Sequence, residues 1–186
     1  MKKFLWLTVF LIGCGSEVDD GVDFEIITTN DETLHSWGGY HWRSDNLSPT
    51  VVNKTTSSLY NVPAMVSEWN DLGTPIQPVV ATTRKGDITV SESSSVFWLG
   101  LATIYLDSAG HIVKGEVKLN TRLLKRYHPD VAAHVLCQEI GHVLGLDHNR
   151  EDLDTCMNDT SAVSNPWPHP NLHDAEQLNL IYDHVD

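Results

Sequence analysis

The sequence predicts an α+β fold, in which helices and a sheet pack around one core. Apolar and polar residues alternate from Val113 to Leu119, which is the two-residue period of a strand with one wet face. Apolar residues recur at helical spacing from Val62 to Trp69. The segment from Asn171 to Ile181 has the same helical period behind a polar N-cap. With 186 residues, the chain is long enough for one domain with a modest extension.

The remaining elements follow from local signals along the chain. The predicted order is a strand near 51–52, a helix over about 61–73, short strands at 79–81 and 88–90, a hairpin formed by 101–106 and 113–119, a helix over about 128–144, and a final helix from 171. Pro63 and Pro129 lie in first helical turns, where a missing N–H costs little. Gly145 follows the second helix and can turn the chain through positive φ. Helices mixed with antiparallel strand pieces are typical of the α+β class.

The charge balance excludes one class of partner. The chain has 12 Lys and Arg against 25 Asp and Glu, a formal net charge of −13, with no basic stripe. Such a surface repels a phosphate backbone, so we expect no nucleic-acid binding.

The N-terminus predicts export and a lipid anchor. Lys2 and Lys3 precede an apolar run from Phe4 to Ile12 that is too short to span a bilayer comfortably. The run ends in Leu-Ile-Gly-Cys14, which resembles the lipobox of bacterial lipoproteins. The resemblance implies that residues 1–13 are a signal peptide and that lipidated Cys14 holds the mature chain on a membrane. Because Gly15 stands where an Asp would signal inner-membrane retention, it implies a cell-envelope lipoprotein of the outer membrane or cell surface. The alternative is an ordinary signal peptide with an incidental Cys.

Residues 14–36 are predicted to be an acidic tether, followed by one domain over 37–186. Residues 16–36 contain seven acids and no Lys or Arg, and a segment of like charges extends by self-repulsion. The alternative is a first short strand at Ile26–Ile27.

The segment 138–148 contains the candidate catalytic and metal-binding residues. It reads Gln-Glu-Ile-Gly-His-Val-Leu-Gly-Leu-Asp-His, or QExxHxxGxxH, and Cys156-Met157-Asn158 follows. This pattern resembles the metzincin zinc peptidases, whose signature is HExxHxxGxxH followed by a Met-turn. Within that group the chain is most similar to the matrixins, on Gly141 and the Gly-Leu-Asp-His ending. The resemblance implies a twisted mixed sheet, an active-site helix and a C-terminal helix over residues 37–186.

The resemblance also implies roles for individual residues. Gln138, His142 and His148 would bind zinc, Glu139 would be the general base, and Met157 would form an apolar floor beneath the metal. Positions 138 and 142 are one helical turn apart and share a face. Gln138 departs from the family, which has His there, and its amide oxygen is a weaker zinc donor. His134 lies about 12 Å from His142 along the helix, so it is interpreted as structural or surface rather than as a replacement.

The predicted function is a zinc metalloendopeptidase that hydrolyses peptide bonds of extracellular or cell-surface proteins by metal-activated water. An extended peptide or protein substrate would pair with the edge strand at 101–106, and the Pro-rich loop at 165–170 would shape one pocket. Two alternatives remain open. One is a catalytically inactive metzincin-fold surface lipoprotein that binds protein or glycan, and the other is a zinc-binding structural lipoprotein.

Two further hypotheses concern cysteines and acids. Once Cys14 is lipidated, Cys137 and Cys156 remain in an oxidising compartment. Cys137 lies next to Gln138 on the motif helix, and Cys156 lies next to Met157 in the Met-turn. We therefore predict a disulfide between them; the alternative is two free buried thiols. Calcium is a second candidate cofactor, although solvated loop acids are the simpler interpretation. Its potential ligands are Asp147, Asp152, Asp154 and Asp159.

Overall fold

The computed structural model describes residues 39–95, 97–150, 154–158 and 163–184, together with the backbone of residues 8–10. Cys14 and the predicted tether up to residue 36 lie outside these residues. So does the predicted signal peptide, apart from residues 8–10. Among the helices described, none is long and apolar enough to cross a bilayer.

The described strands form one seven-stranded mixed sheet. They are β1 (Thr8–Phe10), β2 (His41–Trp42), β3 (Thr50–Asn53), β4 (Val79–Val80), β5 (Ile88–Ser93), β6 (Gly100–Leu106) and β7 (His111–Asn120). The order across the sheet is β1-β6-β7-β5-β3-β4, and β2 also pairs with β7.

Most strand pairs of this sheet are parallel. Only β6 with β7 and β1 with β6 run antiparallel among the described strands. The predicted hairpin around Asp107–Gly110 is confirmed. The antiparallel pieces that the sequence predicts are limited, among the described strands, to this hairpin and the pair of β1 with β6, within a sheet that is mixed overall. A helix lies between β3 and β4, and it carries the chain back so that both strands run the same way. The alternation of apolar and polar residues shows which face of a strand is exposed to solvent. It does not show whether the neighbouring strand runs parallel or antiparallel.

In the described residues, four helices complete a mixed α/β architecture, which is compatible with the α+β class. They are α1 (Val62–Asp71), α2 (Thr121–Leu124), α3 (Pro129–Val143) and α4 (Leu172–Ile181). Asn61 caps α1, and Asn171 and Asp174 form a capping box on α4. Gly145 has φ of 114°, which confirms the predicted left-handed turn after α3. The single-turn helix α2 was not predicted.

Helix α3 is held at the centre of the domain. It packs against β6 and β7 on one side and against α1 on another. At its C-terminal end, the Trp42 indole N–H donates to the Val143 carbonyl at 2.8 Å, and the Tyr182 hydroxyl donates to Leu144 at 2.8 Å. These bonds satisfy carbonyls that have no partner within a helix. They fix the point where the chain leaves α3 and returns towards His148.

Candidate metal centre

Four polar side chains of the motif are buried in the interior of the domain. The exposed fraction is 1% for Gln138, 0% for Glu139 and His142, and 9% for His148. The first three lie within five residues on α3, and His148 follows the Gly145 turn. Ionisable side chains are rarely this buried without a partner or a metal, so the grouping marks a candidate site.

The His142 and His148 side chains face each other with their Nε2 atoms. Their Nε2 atoms lie 3.2 Å apart, with the ring planes at 72°. His142 Nδ1 lies 2.8 Å from the Leu146 carbonyl, which can only accept, so Nδ1 carries the proton and Nε2 presents its lone pair. Two nitrogens bound tetrahedrally at about 2.0–2.1 Å from one zinc lie about 3.3 Å apart. The observed separation therefore fits a shared metal.

Burial also keeps His142 in the form that a metal needs. Desolvation, followed by the neighbouring His148, lowers the pKa of His142 well below its ordinary value of 6.5, against an opposing bond to Leu146. The imidazole is therefore neutral at physiological pH, and a neutral imidazole is the metal ligand.

The two polar atoms of the Gln138 side-chain amide differ in their hydrogen bonding. Its amide nitrogen donates to the Asn158 carbonyl at 3.2 Å. Its Oε1 is buried and has no hydrogen-bond partner among the residues described. A buried acceptor without a donor costs about 1–3 kcal/mol, and a cation at this point would remove that cost. The donor type and its place one turn before His142 fit a third metal ligand.

Glu139 packs beneath strand β6. Its carboxylate lies where a side chain on Gly100 would be, so glycine at that position makes room for it. Neither carboxylate oxygen has a well-aligned hydrogen-bond partner in the described part of the chain. Burial raises the pKa of Glu139 to about 8, although the nearby Ala102 N–H opposes the shift. A bound cation would lower this pKa again, because it favours the charged form.

Met157 packs against helix α3 at Gly141. Its sulfur occupies the space that a side chain on Gly141 would take. The Met157 carbonyl accepts from the Asn149 N–H at 2.6 Å, and its own N–H donates to the Thr155 hydroxyl at 3.1 Å. The turn is thereby attached to the chain just after His148.

A disulfide joins this turn to α3. Cys137 and Cys156 are bonded, with their Cα atoms 5.9 Å apart. The pairing is the one predicted, and the alternative of two free thiols does not hold in this structure. The bridge connects the residue before Gln138 with the residue before Met157.

His134 connects the Pro-rich loop to α3. It is fully buried, and its Nδ1 accepts the Trp167 N–H at 2.8 Å. Burial lowers the pKa of His134 to about 4, so the ring is neutral. The structural interpretation of His134 therefore fits, whereas the surface interpretation is wrong. The same loop accepts the Cys156 N–H through the His169 carbonyl at 2.9 Å.

The structure describes two of the four candidate calcium ligands, Asp147 and Asp154. Asp147 accepts the His148 N–H at 2.7 Å and lies 3.7 Å from Arg150, and Asp154 is exposed. Asp152 and Asp159 lie outside the described residues, so the calcium hypothesis stays a prediction. In the described part of the chain, no group of three His, Cys, Asp or Glu is arranged to hold a metal. A three-ligand centre here therefore depends on the amide oxygen of Gln138.

One grouping has no signal in the sequence. His41, His111 and His184 are far apart along the chain but adjacent in space, with His41 between the other two. Residue spacing reveals ligands on one helix or turn, and it does not reveal side chains brought together by strand pairing and a C-terminal segment.

No protein-family model matches the chain, and no curated protein matches it significantly. The interpretation of the site therefore depends on the motif and on this geometry.

Proposed function

We propose that the domain is a zinc-dependent metalloendopeptidase, matrixin-like in fold, that hydrolyses peptide bonds of extracellular or cell-surface proteins. The observation that carries this proposal is the buried donor set. Two imidazole nitrogens lie 3.2 Å apart. On the same helix as His142 lie an amide oxygen and a buried carboxylate that lack a well-aligned hydrogen-bond partner among the residues described. The QExxHxxGxxH pattern, the turn at Met157 and the helix after a Pro-rich loop support the same assignment.

The metal would be held by Gln138 Oε1, His142 Nε2 and His148 Nε2. All three donors are neutral, as in a site with three histidines. Zinc, when bound, would act as a Lewis acid that polarises the scissile carbonyl and makes water a nucleophile at neutral pH. The second coordination sphere is present, because Leu146 orients His142 and Asn158 orients Gln138.

Glu139 would move the proton. One carboxylate oxygen accepts a proton from the attacking water and later delivers it to the leaving amine nitrogen. The contact with Gly100 places this carboxylate directly under β6, the strand along which we propose that the substrate lies. The same contact supports the proposal that Glu139 lies close to the substrate strand.

Strand β6 would bind the substrate backbone. Its outer edge accepts an extended segment, because Thr8–Phe10 pairs there in antiparallel register with Thr103–Tyr105. If residues 1–13 are removed as a signal peptide, this edge becomes open in the mature chain and a peptide can take the same place. Phe97, on the loop that enters β6, is 80% exposed and offers an apolar contact for a substrate side chain.

One observation favours a second candidate. The Gln138 amide already has a structural partner in Asn158, so the substitution is compatible with a domain that has lost catalysis. Such a domain would be an inactive surface lipoprotein that binds protein or glycan, or one in which zinc is structural.

The test uses the mature protein purified with zinc. We expect about one bound zinc ion and cleavage of a random peptide library. Glu139→Gln should retain the zinc and lose cleavage by roughly 10²–10⁴-fold, because it removes the base and not a ligand. Glu176→Gln, which changes an exposed carboxylate of α4, is the matched control and should cleave normally. Zinc without cleavage would support a structural zinc protein, and neither zinc nor cleavage would support the inactive binding protein.

A further inference from the structure

Three imidazoles meet at the end of the chain. The rings of His41 and His184 have centroids 4.3 Å apart and planes at 88°, and their Nε2 atoms are 2.9 Å apart. His111 lies on His41 edge-on, with centroids 5.1 Å apart. His41 and His111 are neighbours because β2 and β7 pair in parallel register at these residues. The cluster is separate from the motif helix and is partly accessible to solvent.

Two of the three rings have an oxygen acceptor beside Nδ1, as metal-binding histidines commonly do. His41 Nδ1 lies 2.8 Å from the Gly39 carbonyl, so Nδ1 carries the proton and Nε2 presents its lone pair towards His184. His111 Nδ1 lies 3.3 Å from an Asp107 carboxylate oxygen. A carbonyl or carboxylate on the second ring nitrogen is the usual outer contact of a ligating histidine.

We propose that His41 and His184 form a second metal site, which takes a divalent transition-metal ion of the Cu²⁺ or Ni²⁺ class. Two nitrogens in adjacent square-planar or octahedral positions, about 2.0 Å from one metal, are about 2.8 Å apart, against about 3.3 Å in a tetrahedron. The 2.9 Å separation of His41 and His184 is close to the first value. The 3.2 Å separation of His142 and His148 is close to the second.

Solvent completes the coordination. No set of three His, Cys, Asp or Glu surrounds one point in the residues described, so two imidazoles provide the protein ligands and water fills the other positions. His111 then supports the His41 ring from its other side. Imidazole ligands with open positions suit Cu²⁺ best in the general affinity order of these metals.

Such an ion would fasten the C-terminal segment to β2. The neighbouring Tyr182 hydroxyl donates to the Leu144 carbonyl and accepts the Trp42 N–H at 3.2 Å. The cluster therefore adjoins the bonds that hold the end of α3. Because the ion binds only the folded arrangement, it should raise thermal stability.

The experiment titrates the mature protein with Cu²⁺ and records stoichiometry, the EPR spectrum and the melting temperature. His184→Gln and His41→Gln should each lose one equivalent of Cu²⁺, the tetragonal two-nitrogen signal and the associated rise in melting temperature. His169→Gln, a half-exposed histidine bonded to Glu68, is the matched control and should lose none of them. His142→Ala should keep the two-nitrogen signal, which separates this site from the proposed zinc centre. The same stoichiometry and spectrum in the natural protein and in His184→Gln, which alters an exposed residue, would overturn the proposal. The contact would then be an imidazole hydrogen bond alone.

Discussion

The side-chain amide of Gln138 donates to the backbone carbonyl of Asn158, 3.2 Å away. This bond fixes which amide atom is oxygen and leaves Oε1 buried without a partner in the residues described. Asn158 follows Met157, and its N–H returns to the Thr155 carbonyl at 3.2 Å. The turn below α3 therefore orients the residue that replaces the first histidine of the metzincin pattern. A glutamine held in this way is preorganised for the role of oxygen donor that we propose.

The first prediction concerns the donor at position 138. Gln138→His should tighten zinc binding, because imidazole nitrogen is a better zinc donor than amide oxygen. Gln138→Ala should weaken binding by roughly tenfold or more, because it removes the third donor. The measurement is competition for zinc with a chromogenic chelator. Gln177→Ala, which removes a buried glutamine of α4, controls for loss of a buried amide. Equal zinc affinity of the natural protein and Gln138→Ala would show that Gln138 is not a ligand.

The parts of the fold predicted correctly are those set by local chemistry. The cap at Asn171, the turn at Gly145 and the hairpin strand up to Leu106 depend on neighbours in sequence, and the structure has all of them. The parallel pairing of β3 with β5 depends on how the chain crosses over, which no local pattern reports.

The features of the candidate site also fall into those that local sequence predicts and those that depend on the complete fold. The helical face that carries Gln138 and His142 follows from spacing alone. The burial of His134 by the Pro-rich loop and the meeting of His41 with His184 require the finished fold. A histidine on a predicted helix is equally compatible with surface and core, until it is known what packs against it.

The second prediction concerns the lipid anchor. Cys14→Ser should move the protein from the membrane fraction to the soluble fraction, because no acyl chain remains to partition into lipid. Detergent-phase partitioning and fractionation of the cell envelope measure this change. Ser16→Ala, two residues along, is the control and should stay with the membrane. A membrane-bound Cys14→Ser protein would count against lipidation at Cys14.

The third prediction concerns the bridge between Cys137 and Cys156. The two residues are 19 positions apart. Replacing both by Ala should lower the free energy of unfolding by about 3 kcal/mol, mainly because the unfolded chain regains freedom. Zinc affinity should fall as well, since the bridge connects the two segments that orient Gln138. Denaturant unfolding and zinc competition on the double variant measure both effects. Unchanged unfolding together with two alkylatable thiols in the natural protein would contradict the prediction.

The fourth prediction concerns the contact between Gly141 and Met157. A Cβ at Gly141 would meet the Met157 sulfur and would lie 2.9 Å from the Trp69 ring. Gly141→Ala should therefore displace the turn and cost about 1–3 kcal/mol, despite the better helix propensity of alanine. Ser67→Ala, on the exposed side of α1, is the control and should be neutral within about 0.5 kcal/mol. Thermal unfolding in the absence of metal measures both variants. A Gly141→Ala protein as stable as the control would show that the turn gives way without cost.

The last prediction concerns pH and Glu92, which holds the loop after β3 and the start of α2 to strand β5. Backbone N–H groups of Thr56 and Ser57 and the Thr121 hydroxyl donate to its carboxylate and lower its pKa from 4.5 to about 2. Because the folded pKa lies below the unfolded one, this contribution to stability is complete above about pH 5 and is lost as pH falls towards 2. Solvent screens this partly exposed group, so the contribution is about 1 kcal/mol. Glu92→Gln should lower the free energy of unfolding at pH 6, and by roughly half as much at pH 3. Glu176→Gln, an exposed change on α4, should shift it at neither pH. Urea unfolding at both pH values decides the matter, and an equal loss at pH 6 and pH 3 would mean that the charge of Glu92 contributes nothing.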